Sequence, residues 1–233
     1  MSTAAVGRSG GRRQATRRRV ADAAARLFVE RGYAATTLQA VADNAGVHVQ
    51  TIYQVFGSKV AVLAEAAAVL VAGPEEEAAT PPPERAWVRE LFAEPEPVHQ
   101  LALYARHMRA VSERYMGLLD IMRVTAAADP DVGTFLAQAE RGRYDGPRHI
   151  TPVLAGCGAL QPGLTAERAA DIMYAITTYD VFRSLIQDRG WSGHDAETWI
   201  AATLARLLLI PRPQAEDPNL GTAGDNRGRG GGV

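Results

Sequence analysis

The amino-acid sequence of 233 residues predicts an all-α protein. Apolar residues recur at i, i+4, i+7 and i+8, a spacing typical of one face of an amphipathic helix. The first such stripe is Val20, Ala24, Leu27 and Phe28, and residues 200–208 repeat the pattern near the C-terminus. No segment combines sustained apolar–polar alternation with hairpin turns, so the sequence indicates no strand.

Proline, glycine and charge divide the chain into segments. Residues 1–14 are basic and lack an apolar period, which predicts a flexible arm, and the glycine-rich residues 211–233 predict a disordered tail. Prolines in residues 73–83 remove backbone donors and predict a loop. Between these breaks we expect a three-helix domain at 15–57 and a larger helical domain at 58–210.

Charge is distributed unevenly along the chain. Residues 1–60 carry nine basic and three acidic side chains, whereas residues 61–233 carry 16 basic and 23 acidic ones. A basic first quarter on an acidic body predicts a polyanionic partner for that end, with a merely solvated basic terminus as the alternative. Cys157 is the only cysteine, which fits the reducing cytoplasm. No apolar stretch approaches the roughly 18 residues of a membrane span.

Residues 36–56 have the pattern of a helix-turn-helix unit. Thr36 or Thr37 caps the first helix, because a threonine hydroxyl accepts a hydrogen bond from a free backbone N–H. Gly46 follows that helix, where the chain needs a left-handed conformation that glycine adopts at little cost. The inner faces are apolar: Leu38, Val41, Ala42 and Ala45 in the first helix, and Ile52, Val55 and Phe56 in the second.

The polar residues of the second helix are expected to face outward or sideways. In helix-turn-helix proteins this helix enters the major groove, where its first residues meet base edges. Gln50 carries the amide that pairs with adenine, and Thr51 offers a methyl and a hydroxyl to thymine or phosphate. The Tyr53 hydroxyl can reach a phosphate, and His48 and Gln54 complete the set. A tight αα-corner without a DNA partner is the alternative that the spacing alone leaves open.

The unit belongs to a longer ordered pattern over residues 15–63. In chain order the pattern contains Leu27-Phe28, Gly32-Tyr33, Thr36-Thr37, Ala45-Gly46-Val47, Ile52-Tyr53, Phe56 and Ser58-Lys59. It resembles the DNA-binding region of the TetR family of transcriptional regulators. The chain departs from the family at His48 and Gln50, where small residues are usual, and at Ala40, where an acid is common. These departures affect the expected operator sequence rather than the DNA-binding role.

The resemblance also implies phosphate contacts around the unit. Lys59 is the only lysine of the chain and stands where the family places a phosphate-facing lysine at the start of its fourth helix. The basic side chains Arg8, Arg12, Arg13, Arg17, Arg18 and Arg19 can also follow the DNA backbone or enter a minor groove. For Arg8 to Arg13 a solvated tail is the alternative. The predicted DNA-binding residues are Arg17, Arg18, Thr36, Thr37, His48, Gln50, Thr51, Tyr53, Gln54 and Lys59.

Beyond residue 70 the sequence resembles the family less closely. The resemblance implies a small-molecule cavity among residues 84–160 and helices within 165–209 that pair with a second copy of the chain. The candidate cavity residues are Trp87, Tyr104, His107, Met108, Met122 and Tyr144, with Phe92, Met116 and Phe135 as further candidates. The candidate dimer-interface residues are Ile172, Ile176, Tyr179, Trp199, Leu204 and Leu208. Aromatic residues and methionines at this spacing more often form a plain core.

The family resemblance therefore implies a homodimeric repressor in the cytoplasm, which a small molecule releases from a palindromic operator by shifting a long fourth helix over about residues 58–72. Two other functions are weaker alternatives. An all-α enzyme would need a convergent polar set, whereas the five histidines are scattered and no phosphate loop appears, so no catalytic residue, cofactor or metal is predicted. An architectural DNA binder would be basic throughout, whereas residues 61–233 are acidic.

Overall fold

A computed structural model describes residues 3–74 and 80–211. The predicted tail, apart from Pro211, and the centre of the predicted loop lie outside the described residues. The described helices are α1 (Thr3–Arg31), α2 (Leu38–Ala45), α3 (Val49–Phe56), α4 (Lys59–Ala72), α5 (Ala86–Ala93), α6 (Pro97–Ala126), α7 (Pro130–Gly142), α8 (Asp145–Gly156), α9 (Ala166–Ile176), α10 (Tyr179–Arg183) and α11 (Gly193–Leu208). No strand occurs within these ranges, which confirms the all-α prediction.

Helix α1 begins earlier than the sequence predicts. The apolar stripe from Val20 to Phe28 is buried, as expected, and packs against α2 and α4. The backbone, however, is already helical at Thr3, so the prediction of a flexible arm over residues 1–14 is wrong from Thr3 onward. The physical reason is that no proline precedes Pro74, and the glycines of this segment weaken a helix without forbidding it.

Helices α2 and α3 form the predicted helix-turn-helix. The Thr37 hydroxyl accepts a hydrogen bond from the backbone N–H of Ala40 at 3.1 Å, so Thr37 is the N-cap of α2. Gly46 ends α2 with φ of 65°, the left-handed conformation that the sequence predicts. The inner residues of α2 are all buried, and Ile52 of α3 is 1% exposed. The corner is therefore fixed by local sequence.

Helix α4 joins this three-helix head (α1 to α3) to the body (α5 to α11). Ser58 caps α4 through a 3.1 Å hydrogen bond from the backbone N–H of Ala61, and the helix ends at Ala72, close to the predicted bounds. It packs on α1 on one side and on α6 on the other. No single described helix is long and apolar enough to cross a membrane; α3 and α4 pass that test only as a pair bent by 80°.

The body is arranged around α6, the longest helix in it. Helix α6 packs against α4, α5, α7, α10 and α11, and α8 pairs with α9. A π-helical turn, Ser184–Asp188, follows α10. The end of the described chain is held by two backbone bonds, from Gln161 N to Leu208 O at 2.8 Å and from Ile210 N to Ala159 O at 2.9 Å. This short antiparallel contact closes the C-terminal end of α11 onto the α8–α9 connection.

Candidate DNA-binding surface and ligand cavity

The outer face of α3 presents polar side chains to solvent. His48, Gln50, Tyr53 and Gln54 are exposed, Tyr53 by 51%, and Thr51 is half-buried. Within the described chain none of these five side chains makes a hydrogen bond to another residue. Because water satisfies them at no cost in the free protein, they remain available to base edges and phosphates. The structure therefore places all five predicted residues of the recognition helix on one accessible surface.

A groove beside this surface contains Arg13, for which the sequence left DNA contact and a solvated tail as alternatives. Arg13, Thr16 and Arg17 of α1 line it together with Thr51 and Gln54 of α3. Arg13 is exposed and lies one helical turn before Arg17. The prediction of a flexible arm left the position of Arg13 open, since only a helical α1 aligns residues 13 and 17 on the same side. The i, i+4 spacing of the two arginines was the available signal.

Arg17 and Arg18 both make contacts within the protein. Arg17 forms a two-point ion pair with Glu65 of α4, and its guanidinium lies 5.1 Å from the centre of the Phe56 ring. Arg18 pairs with Asp22 at 3.1 Å and donates to the carbonyl of Gly73 at 3.0 Å. Arg17 nevertheless lines the groove beside α3 with its side chain 39% exposed, so its contact with DNA stays a prediction, as does that of Arg18.

The two threonines before α2 have separate structural roles. Thr36 is fully buried, and its hydroxyl donates to the carbonyls of Leu27 at 3.0 Å and Gly32 at 2.8 Å. Its prediction as a DNA-binding residue is wrong, since a hydroxyl enclosed at the end of α1 cannot reach the duplex. Thr37 is exposed while it caps α2, and it stays on the surface that flanks α3.

Lys59 also makes internal contacts. Its ammonium donates to the backbone carbonyl of Tyr33, lies 3.5 Å from the carbonyl oxygen of Ala34 and sits 4.3 Å from the centre of the Tyr33 ring. Desolvation by burial lowers the pKa of Lys59. An ammonium has three donors, so two join α4 to the α1–α2 connection and one remains for an outside partner.

A cavity of about 350 Å³ lies in the body below α4. Helix α4 supplies small side chains to one wall, and α5, α6, α7 and α10 supply larger ones. Four predicted residues line it: Trp87, Tyr104, His107 and Met108. Phe135, one of the further candidates, also lines it, whereas the sequence did not identify the rings of Tyr115 and Tyr179 or the charged groups of Arg85, Glu140 and Arg143 as lining residues.

The polar groups of the cavity centre on a stacked pair of rings. The Trp87 indole and the His107 imidazole lie 3.7 Å apart between centroids, at an interplanar angle of 11°. The indole Nε1 is buried and has no hydrogen-bond partner among the described residues. Burial, followed by the positive charges of Arg114 and Arg85, lowers the pKa of His107 to about 4. The imidazole is therefore neutral at pH 7.

Two predicted cavity residues lie elsewhere. Met122 is 0% exposed and belongs to the packed core of α6 rather than to the cavity wall. Tyr144 points to α9, where its hydroxyl donates to Asp171 Oδ1 at 2.8 Å and its ring meets the edge of Tyr174. These two predictions are wrong because spacing on one helix does not say which neighbour that helix face meets.

Three of the six predicted dimer-interface residues are buried within their own chain. Leu204 and Leu208 are 0% exposed, and Tyr179 is 7% exposed and lines the cavity. Their assignment to an interface is wrong, since they cannot contact a second copy without leaving this core. Ile172 and Ile176 are half-buried against the core, whereas Trp199 is 40% exposed on α11. Of the six, only Trp199 presents a large apolar face to solvent.

The fold and the exposed α3 define a class: a helical protein with an N-terminal helix-turn-helix head and a cavity-bearing body. Residues 20–66 match the bacterial regulatory proteins of the tetR family. A TetR-family regulator from Rhodococcus sp. has a TM-score of 0.65 at 17% identity, covering 83% of this chain and 98% of that one. No curated protein matches the sequence.

Two further solved structures contain ligands. FadR from Bacillus subtilis, in complex with stearoyl-CoA, has a TM-score of 0.61 at 16% identity, covering 80% of this chain and 96% of that one. A regulator from Saccharomonospora viridis, in complex with choline, has a TM-score of 0.60 at 17% identity, covering 84% and 98%. The match over residues 20–66 therefore assigns a tetR-type DNA-binding domain to the N-terminal part of the chain, and the solved structures share the fold of the chain as a whole.

Proposed function

We propose that this protein is a homodimeric repressor in the cytoplasm that leaves a palindromic operator when a small molecule fills the cavity. The observation that carries the proposal is the position of α4. One face of α4 forms a cavity wall through Ala64, Ala67, Ala68 and Val71. Its other face holds Glu65, which pairs with Arg17 of α1. A displacement of α4 therefore acts on the head directly.

The contact continues from α1 to the recognition helix. The guanidinium of Arg17 lies over the ring of Phe56, the last residue of α3, while its Nε donates to Glu65 Oε1 at 3.1 Å. Arg114 of α6 holds the other end of α4, donating to the carbonyl of Leu70 at 2.9 Å. Cavity, α4, Arg17 and α3 thus form a continuous packed series, through which a shift of α4 would reach the recognition helix.

The ligand-bound relatives support a small-molecule effector for this body. Stearoyl-CoA and choline, present in two similar structures, differ greatly in size and charge. The residues of each cavity must therefore determine its ligand. In this chain those residues are aromatic rings, small side chains and arginines. Among the described residues no group of histidines, cysteines and carboxylates could hold a metal ion.

A second copy is expected to pack on the exposed side of α11. Trp199 is 40% exposed and Leu207 is 43% exposed, and the Trp191 ring meets Trp199 edge-on at 6.3 Å between centroids. Exposed apolar groups that cluster in this way mark interaction surfaces. A two-fold pair would place two α3 helices on half-sites about one helical turn apart, which supplies the affinity that one short helix lacks.

A cavity-filling substitution tests release without knowledge of the effector. Ala64→Phe adds a ring to the α4 wall, where Ala64 is half-buried. Ala137→Phe is the matched control, because Ala137 is exposed on α7 and does not line the cavity. An operator is first selected from randomised duplexes. We expect Ala64→Phe to weaken operator binding by at least about fivefold, the usual lower size of allosteric coupling.

The control variant should bind the operator within about twofold of wild type. Equal operator affinity for wild type and a folded Ala64→Phe variant would contradict release through α4. A monomer in sedimentation analysis, with or without operator, would contradict the proposed pairing of two copies.

A further inference from the structure

The polar groups of the cavity restrict which ligands it can bind. This inference rests on the proposed function, in which a small molecule fills the cavity. Its buried donor is Trp87 Nε1, which lacks a hydrogen-bond partner among the described residues. A buried N–H without an acceptor is unfavourable, and nearly all such groups in proteins are paired. Nε1 has almost no accessible surface, so a ligand reaches it only after a small shift of the indole; an acceptor supplied there removes the penalty, and the indole then selects for an oxygen or nitrogen.

The charges around the cavity are predominantly positive. Arg85 and Arg143 line it, against the single carboxylate of Glu140, which pairs with Arg143 at 3.4 Å. Arg85 donates through Nε to the carbonyl of Thr80 at 3.3 Å and makes no ion pair with a described residue. Burial is the largest cause of the low pKa of His107, and the positive charges of Arg114 and Arg85 lower this pKa further, in agreement with a positive field. This field favours an anion and disfavours a cation.

The remaining wall is aromatic. The rings of Tyr104, Tyr115, Phe135 and Tyr179 surround the space opposite the small residues of α4. Aromatic rings pack favourably edge-to-face or offset against another ring. The volume of about 350 Å³ lies near the lower end of ligand sites. Space of this size suits a molecule of one or two rings.

We infer that the cavity binds a small aromatic carboxylic acid, with its ring among the tyrosines and its carboxylate accepting a hydrogen bond from Trp87 Nε1 beside Arg85. A carboxylate is the acceptor that satisfies the buried donor and the positive field together, and hydrogen bonds to ionised acceptors are the stronger ones. Neutral His107, stacked on the indole, holds the ring of Trp87 in place. A quaternary ammonium ligand would meet the aromatic rings but also the like charge of Arg85.

Three probes of equal shape and different charge test this inference by calorimetry on the full-length protein. They are 2-naphthoate, 2-naphthamide and 2-naphthamidinium, whose head groups are all planar. We expect 2-naphthoate to bind at least about tenfold more tightly than the amide, and the cation to bind more weakly than both. Equal affinities, a preference for the cation, or the absence of binding by all three at millimolar concentration would overturn the inference.

Two variants test whether Trp87 and Arg85 contact the carboxylate of the ligand. Trp87→Phe keeps the ring and removes the N–H, and we expect about tenfold weaker binding of 2-naphthoate. Arg85→Gln should weaken 2-naphthoate about fivefold and leave 2-naphthamide within twofold. Because Arg85 is not part of the packed core, the Arg85→Gln variant tests the inference even if Trp87→Phe does not fold. Arg89→Gln, an exposed neighbour that does not line the cavity, is the control and should change nothing.

Unchanged 2-naphthoate affinity in both folded variants would also overturn the inference. All of these measurements are made without DNA. Failure here therefore leaves the operator-binding role standing, whereas failure of the operator experiment leaves the chemistry of the cavity intact.

Discussion

The recognition helix and the cavity both present polar groups without partners among the described residues, but in opposite environments. On α3 the side chains of Gln50, Tyr53 and Gln54 are exposed, where water satisfies them. In the cavity Trp87 Nε1 is buried, where no described residue satisfies it. Exposed polar side chains are hydrogen-bonded to water before DNA binds, so they cost the free protein no stability. A buried donor without an acceptor lowers the stability of the protein, and a small ligand that supplies the acceptor removes this cost.

This difference shows how one chain can carry two surfaces of opposite kinds. The head needs a rigid corner that presents its polar edge, which Gly46 and the buried face of α2 provide. The body needs a cavity of defined polarity, which only long-range packing provides. Helix α4 is the element that belongs to both, through Glu65 on one face and Ala64 on the other.

The largest expected effect comes from one core substitution in the head and one in the body, which test whether the two regions can be perturbed separately. Ile52 of α3 and Ile150 of α8 are 1% and 3% exposed, and truncation of either to alanine should cost about 3 kcal/mol of stability. Ile52→Ala should weaken operator binding more than tenfold and leave 2-naphthoate binding within twofold. Ile150→Ala should leave the recognition helix intact.

Thermal unfolding, operator titration and calorimetry on both variants check this prediction. If Ile52→Ala and Ile150→Ala weakened operator and 2-naphthoate binding by the same factors, the two regions would not be separable.

The second-largest expected effect is a pH dependence of the protein's stability that arises from His107 in the cavity. His107 has a pKa of about 4 in the folded protein, lowered mainly by burial, against about 6.5 unfolded. The unfolded chain therefore takes up a proton first as the pH falls, so stability is complete above about pH 6.5 and is lost toward pH 4. Between pH 7 and pH 5 the loss should be about 2 kcal/mol.

Denaturant titration at both pH values measures this loss. His107→Gln should lack that share of the pH dependence, whereas His194→Gln, at an exposed position on α11, should behave as wild type. An identical pH dependence in wild type and His107→Gln would show that the imidazole is not held neutral by the cavity.

The same contrast explains how far the sequence alone could lead. The corner of the head depends on neighbours within ten residues, so Thr37, Gly46 and the buried stripe of α2 could be placed from spacing. Leu204 and Tyr179 could not, because an apolar face on a long helix fits a core, a cavity or a partner equally well. Which of these it meets depends on the rotation of the helix against distant ones, such as α6, and a single sequence carries no record of that.

The internal contacts of charged side chains in the head could not be predicted for a related reason. Arg17 and Lys59 have the composition of a DNA-binding surface, but their partners, Glu65 and the carbonyl of Tyr33, lie 48 and 26 residues away. A count of positive charges cannot distinguish a free cation from one that also makes contacts within the protein. For Arg13 the sequence left two alternatives, because the segment before residue 14 was predicted to be flexible rather than helical.

The smallest expected effect concerns Lys59. Its ammonium joins α4 to the α1–α2 connection, so Lys59→Met should lower stability by about 1 kcal/mol through lost hydrogen bonds. The log–log slope of operator affinity against salt should stay unchanged, since the charge is engaged internally. Operator titrations at several salt concentrations measure it. A slope smaller by about 0.9 would instead show that Lys59 neutralises a phosphate.

The central claim is that α3 reads duplex DNA while the cavity does not. Fluorescence anisotropy with a selected operator tests it in one experiment, using a triple variant (Gln50→Ala, Tyr53→Phe and Gln54→Ala) and Trp87→Phe at physiological salt. Base-edge contacts are worth about 1–3 kcal/mol each, so we expect the triple variant to bind at least a hundredfold more weakly and Trp87→Phe to bind within twofold of wild type. Wild-type affinity in a folded triple variant would contradict the claim.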